Sequence, residues 1–418
     1  MTPAAGTSSI RTALMALLAL IAGFASGLFV NLQPENWVEQ ISWAELAGKV
    51  WLTLLIAIAV PLTSAYLFNI VSTMSSGKLA GRIGLHALLF HILIMMLGMG
   101  FTLSVSYVIT DYITTGFTLL VHGEGPIDTD LSSAHNLITW TDAMQTFLAR
   151  IILPLLMLSA VTAWVLSRYF RSRHEYWRAR VLAFSEKTST AMYRLLLLLP
   201  VAAFTLSFSL TAKHGYTLAG VMGQYVAALI GMLIVFILVL YLIALSFGAV
   251  PPAVFASALL PAQLVAASTR SSLATMPALL TGAEQGAGIP PHVSRLVIPF
   301  SVSVFRINRA ITSVFSYVFF TSLYNIPTDV VSTVLFLGLI MALSFGSPGL
   351  PSGGKLATMP VFLALGVPLE MIVLTKAIDI IPDMFKTVLN VTESMTIASL
   401  VARSNEPERP QPTHPATA

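Results

Sequence analysis

Cysteine is absent from the 418 residues, so neither a disulfide framework nor a thiolate metal site is possible and the redox compartment leaves no mark. Charge is scarce as well. Asp, Glu, Lys and Arg make up 10% of the chain, against about a quarter in soluble domains. That scarcity, beside a hydrophobic content of 56%, excludes water as the main solvent. No His-Glu-x-x-His run occurs and the eight histidines are scattered, which argues against metal-dependent hydrolysis. The net charge of +4 gives no support for a nucleic-acid partner.

What is present is a series of long apolar runs. A helix needs roughly 20 apolar residues to cross the hydrocarbon core. Runs of that order lie at about Ala13 to Leu32, Val50 to Met74, Leu85 to Thr110, Ala149 to Phe170, Ala191 to Thr211 and Leu218 to Phe247. The first follows Arg11 and resembles a secretory signal, but it exceeds the usual signal core of about 7 to 15 residues. It is therefore expected to be a first spanning helix. Basic residues cluster in two connections, Lys78 with Arg82 and the stretch Arg168, Arg171, Arg173, Arg178, Arg180, Lys187 and Arg194. Short basic loops stay cytoplasmic and also suit anionic lipid. The acidic loops, Glu35 to Glu45 and Asp111 to Asp142, are expected outside. This places the N-terminus and the proline-rich tail, residues 404–418, in the cytoplasm.

After residue 249 the hydrophobic runs are interrupted and a sequence repeats. Leu273-Ala-Thr-Met-Pro277 returns as Leu356-Ala-Thr-Met-Pro360, and Gly288-Ile-Pro290 as Gly366-Val-Pro368. The apolar flanks look short for full crossings, which points to re-entrant helical hairpins; two kinked helices are the alternative. Paired interrupted segments mark the midplane binding site of a transporter. The expected organisation is six helices in 1–248, a binding core in 249–403 and a disordered tail.

The densest chemistry is in Ala377 to Ser394. Asp379, Asp383, Lys386, Asn390 and Glu393 are spaced by four, three, four and three residues, a single face at about 100° per residue. Ionised groups at membrane depth face protein or a wet path, so this stripe needs compensation by a ligand or by an internal pair of Lys386 with Asp379 or Asp383.

These motifs resemble the dicarboxylate/amino acid:cation symporter family, which includes bacterial glutamate symporters and the excitatory amino acid transporters. The resemblance rests on Arg270-Ser-Ser-Leu-Ala-Thr-Met-Pro277, Gly349-Leu-Pro-Ser-Gly-Gly354 and Asp383-Met-Phe-Lys-Thr-Val-Leu-Asn-Val-Thr392, with weaker matches at Val60-Pro-Leu62 and Gly81-Arg-Ile-Gly84. It implies an all-α polytopic protein of a bacterial inner membrane. Eight transmembrane helices, two oppositely inserted hairpins, a homotrimer and an elevator motion of a transport domain against a scaffold come with it. It also implies that Asp383 receives a substrate ammonium group, that Asn390 and Ser272 hold the α-carboxylate, and that Lys386 stands where an arginine usually meets a second carboxylate. Lysine lacks the planar fork, which Arg270 can supply. Ser271, Ser352, Gly353 and Thr387 complete the implied substrate set, with Gly349 to Gly354 as a closing tip.

The departures concern the coupling ion, sodium and/or proton, since no other cofactor is expected. Where the family has Asn-Met-Asp-Gly-Thr, this chain has Phe305-Arg-Ile-Asn-Arg309, so the sodium-binding aspartate becomes Ile307. The third-helix ligands become Ile94 and Met95, the adjacent tyrosine His91, and a last-helix aspartate Ser394. His91, Arg306, Asn308, Asp379, Glu393 and Ser394 are thus the candidates for ion coupling or charge compensation. Arg306 and Arg309 can act as tethered cations, pair with Asp379 or Glu393, or snorkel outward. The expected function is symport of small acidic amino acids or C4-type dicarboxylates. The alternative from another class is an intramembrane serine hydrolase with Ser352 as nucleophile and Lys355 as base.

Overall fold

The computed structural model describes residues 3–75, 82–114, 134–345 and 353–405. They form α1 (Pro3–Asn31), a 3-10 turn (Pro34–Trp37), α2 (Val38–Ser75), α3 (Arg82–Thr114), α4 (His135–Tyr169), α5 (Arg171–Leu196), α6 (Leu199–His214) and α7 (Thr217–Phe247). The second part holds α8 (Pro252–Thr269), α9 (Ser272–Thr281), a π turn (Gly282–Gly286), α10 (Pro291–Val304), α11 (Ile307–Leu323), α12 (Val330–Ser344), α13 (Gly353–Ala364), α14 (Leu369–Ala377) and α15 (Ile380–Ser404). Lys78, the acidic loop residues Glu124, Asp128 and Asp130, the tip residues Gly349 to Ser352 and the tail beyond Asn405 lie outside the described residues.

Among the described residues, α1, α2, α3, α4, α7 and α8 are each long and apolar enough to cross a membrane. A seventh candidate is the pair α5 and α6, bent by 54°. Outward-facing Leu93, Leu97 and Val108 on α3 and Leu238 and Leu242 on α7 suit lipid, because helices satisfy their own backbone polar groups there. The basic stretch from Arg171 is an exposed helix, α5, separated from α4 by Phe170 alone, and not a loop. Long charged side chains are good helix formers, so high charge excluded the membrane core there without excluding a helix.

Helix α1 lies along α6 through Gly23 and Gly27. A Cβ on Gly23 would fall 2.2 Å from Ser207 Oγ and one on Gly27 2.7 Å from the Phe208 carbonyl oxygen. The Gly-x-x-x-Gly spacing is what lets these backbones meet.

The sequence repeat is a structural repeat. Gly288 (φ 67°) and Gly366 (φ 77°) both adopt the left-handed conformation, and Pro290 and Pro368 both precede the first residue of a helix. Each helix they open is then broken, α10 from α11 at Phe305-Arg306 and α14 from α15 at Ile378-Asp379. Helices α8 and α9 pack on each other, as α12 and α13 do. α8 has 18 residues and passes as a possible span by length, so flank length alone does not define a hairpin.

Helix α15 forms the centre. From Leu389 to Ala402 every residue is buried, packed by α3, α7, α8, α10 and α11. From Leu389 onward the face opposite the polar stripe is therefore covered by protein and not by lipid, while Ile381 and Met384 in the first turns are exposed. A chain of side-chain bonds ties it in: Tyr241 on α7 donates to Gln263 on α8 (3.0 Å), which donates to Thr392 (2.8 Å).

Candidate functional site

The break between α10 and α11 leaves the first amides of α11 without intrahelical acceptors. Side chains of α15 supply them. Asn390 Oδ1 accepts from the Asn308 amide (3.1 Å), and the Ile307 amide lies near the Glu393 carboxyl. Phe305 is held extended by an antiparallel bridge to Phe345, at the end of α12. Neither Gly nor Pro marks this break, so its cause is tertiary.

The second break corrects the stripe. Asp379 is the residue before α15 and not a member of it, while Asp383, Lys386, Asn390 and Glu393 do share the helix. Asp379 is buried and accepts from Lys386, and from Lys376 at 3.4 Å. The internal pair expected for Lys386 thus forms with Asp379. Asp383 is half-buried and has Asp379, Lys376, Lys386 and Arg270 as its charged neighbours, with Arg306 facing it from the other break. Tyr225 on α7, bonded to Ser316 (2.8 Å), also lies in the field of Lys386 and Asp379.

At the α8–α9 turn, Arg270 is half-buried and left-handed (φ 53°), and Ser271 caps α9 by accepting from the Ala274 amide (3.3 Å). Ser272 follows, 6% exposed, and its Oγ has no hydrogen-bond partner among the described residues. A buried hydroxyl left unpaired costs free energy unless something else bonds it. Thr387 and Ser394 donate to carbonyls one turn back in α15, at 2.8 and 2.9 Å. Gly353 opens α13; Ser352 is outside the described residues.

At the positions of the expected sodium cage the donors are replaced by packing. Ile94, Met95 and Ile307 are buried, and His91 stacks on Phe305 with ring centroids 3.8 Å apart, flanked by Phe300. His91 Nδ1 donates to the Ala87 carbonyl (2.7 Å), which leaves Nε2 as an acceptor. Such a set does not fit a hard cation, which needs several oxygen ligands. Arg309 is buried and donates to the Leu343 carbonyl.

The sequence reading missed Lys376 and Tyr225. Tyr225 stands in an apolar run with no local signal. Lys376 lies three residues before Asp379, a spacing that was visible, but the intervening helix end hid its direction.

Long apolar helices, a broken-helix repeat and a buried charged centre define a polytopic membrane protein of carrier architecture. The chain belongs to the sodium:dicarboxylate symporter family, whose model matches residues 13–404. It is similar to the human neutral amino acid transporter B(0), 31% identical over 196 residues, 45% of this chain and 36% of that protein. The mouse neutral amino acid transporter B(0) is 32% identical over 41% of this chain and 31% of its own length. The human neutral amino acid transporter A is 30% identical over 44% and 35%. The matched stretch spans about a third of the length of these relatives.

Proposed function

We propose that this protein is a secondary active symporter that moves a small acidic amino acid across the membrane, coupled to a cation gradient. The observation that carries the reading is the meeting of two helix breaks. They bring half-buried Asp383, with Asp379 and several cations around it, near the polar end of α15, while the α8–α9 turn presents the Ser272 hydroxyl, unpartnered among the described residues. A substrate ammonium group pairs with Asp383, and its α-carboxylate meets Ser272, Asn390 and Arg270. Asp383 and the transporters named above favour an amino acid over a C4-type dicarboxylate.

Family membership supports sodium as a coupling ion, whereas the packing of His91 on Phe305 argues against the side-chain sodium cage. In this reading Arg306 replaces one ion by a tethered charge, and Glu393 or His91 carries a proton. The reading keeps the first six helices as scaffold with two transport helices, the rest of the core as a moving unit, an elevator motion, a homotrimer and cytoplasmic termini in an inner membrane. The family is one of symporters, which favours transport over hydrolysis by Ser352 and Lys355. Labelling of Ser352 by a fluorophosphonate would reverse that choice.

The test is uptake by purified protein in proteoliposomes. Asp383→Asn abolishes amino acid uptake while the protein stays folded, because a neutral amide cannot pair with the ammonium. Wild-type uptake by this variant would overturn the ammonium site.

A further inference from the structure

Resting on that transport reading, we infer that Lys376 is a specificity-determining positioning residue: it holds Asp379 so that Lys386 can be released to a carboxylate on the substrate's side chain. Three observations support the inference. Asp379 lies between two ammonium groups, Lys376 on α14 and Lys386 on α15, in a place where all three side chains are at most 13% exposed. The Lys376 contact is the longer at 3.4 Å, and Lys386 is the closer partner. All three act electrostatically on Asp383, so they border the ammonium site without being it.

Charge arithmetic then sets the ligand. Lys376 and Lys386 contribute two positive charges against the one negative charge of Asp379, and Arg270 and Arg306 bring further positive charge to Asp383, so cations outnumber anions in a buried setting. A buried charge demands a partner. Asp383 balances a substrate ammonium; with Arg270 assigned to the α-carboxylate, the lysines suit a further carboxylate. If Asp379 had Lys386 alone, giving that lysine to substrate would strand a buried aspartate, which is strongly unfavourable. Lys376 removes the obstacle, because Asp379 keeps one cation when the other turns away. Lys376 itself never touches the substrate.

The experiment compares aspartate and alanine uptake in proteoliposomes for wild type, Lys376→Gln, Lys376→Arg and the double variant Lys376→Gln/Asp379→Asn. The expected result is a KM for aspartate raised about tenfold or more in Lys376→Gln, with the KM for alanine within about twofold of wild type. Lys376→Arg restores the aspartate KM because the charge returns. The double variant also restores it, since Lys386 is no longer held. If Lys376→Gln shifts both substrates equally or neither, or if the double variant gives no recovery, Lys376 is not a selectivity residue. If wild-type protein takes up neither substrate, the transport reading falls and this inference with it.

Discussion

At the residue scale, the site is built from polar atoms that the fold leaves facing it. Ser272 is the clearest, since its neighbour Ser271 has its hydroxyl oxygen engaged as a helix cap while Ser272 Oγ has no partner among the described residues. A hydrogen bond from a hydroxyl to a carboxylate contributes about 1.5 to 3 kcal/mol. Ser272→Ala is therefore expected to raise the KM for substrate by roughly ten- to a hundredfold with the melting temperature unchanged, measured by uptake and by thermal unfolding of the purified protein. A fall in melting temperature with an unaltered KM would make the hydroxyl structural. The stripe Asp383, Lys386, Asn390 and Glu393 was legible from spacing because all four sit in one unbroken helix. Asp379 was not placed correctly, since local spacing carries no notice that the helix begins one residue later. Pro382 in the first turn was the available signal, as proline is tolerated there and not in an interior.

At the element scale, glycine and proline explain what the sequence could and could not reveal. The turns at Gly288 and Gly366 were legible because a left-handed backbone followed by proline leaves a chemical mark. The break at Phe305-Arg306 left none, because it is held from outside by Phe345, Asn390 and the ring of His91. The exposed helix α5 was hidden for the opposite reason, since a dense basic stretch marks membrane side and not backbone conformation. Close packing gives a direct test. Gly27→Leu would drive its side chain into the Phe208 carbonyl and Thr211, and overpacking of this kind costs about 1 to 3 kcal/mol. The expected outcome is a lowered melting temperature in detergent, with Gly27→Ala intermediate. Equal stability of all three proteins would show that α1 and α6 do not pack through this glycine.

At the scale of the whole molecule, one motif occurs twice, each time a helix pair followed by a broken helix, and the first copy packs against α15, the last helix of the second. This arrangement places charge inside an otherwise apolar body, and it gives the cations Arg270, Arg306, Lys376 and Lys386 a common focus at Asp383. The same interior packs Ile94, Met95, Ile307 and the His91–Phe305 stack at the positions where the family resemblance implies sodium ligands. The proposal is that an amino acid is carried through this site and driven by a cation gradient to which protons contribute in place of at least one sodium ion. The most direct measurement is uptake of radiolabelled aspartate into proteoliposomes with either a sodium gradient or a pH gradient imposed alone. The expected result is accumulation driven by the pH gradient, acid outside, with no sodium gradient imposed. Uptake that requires several sodium ions per substrate and ignores the pH gradient would contradict it.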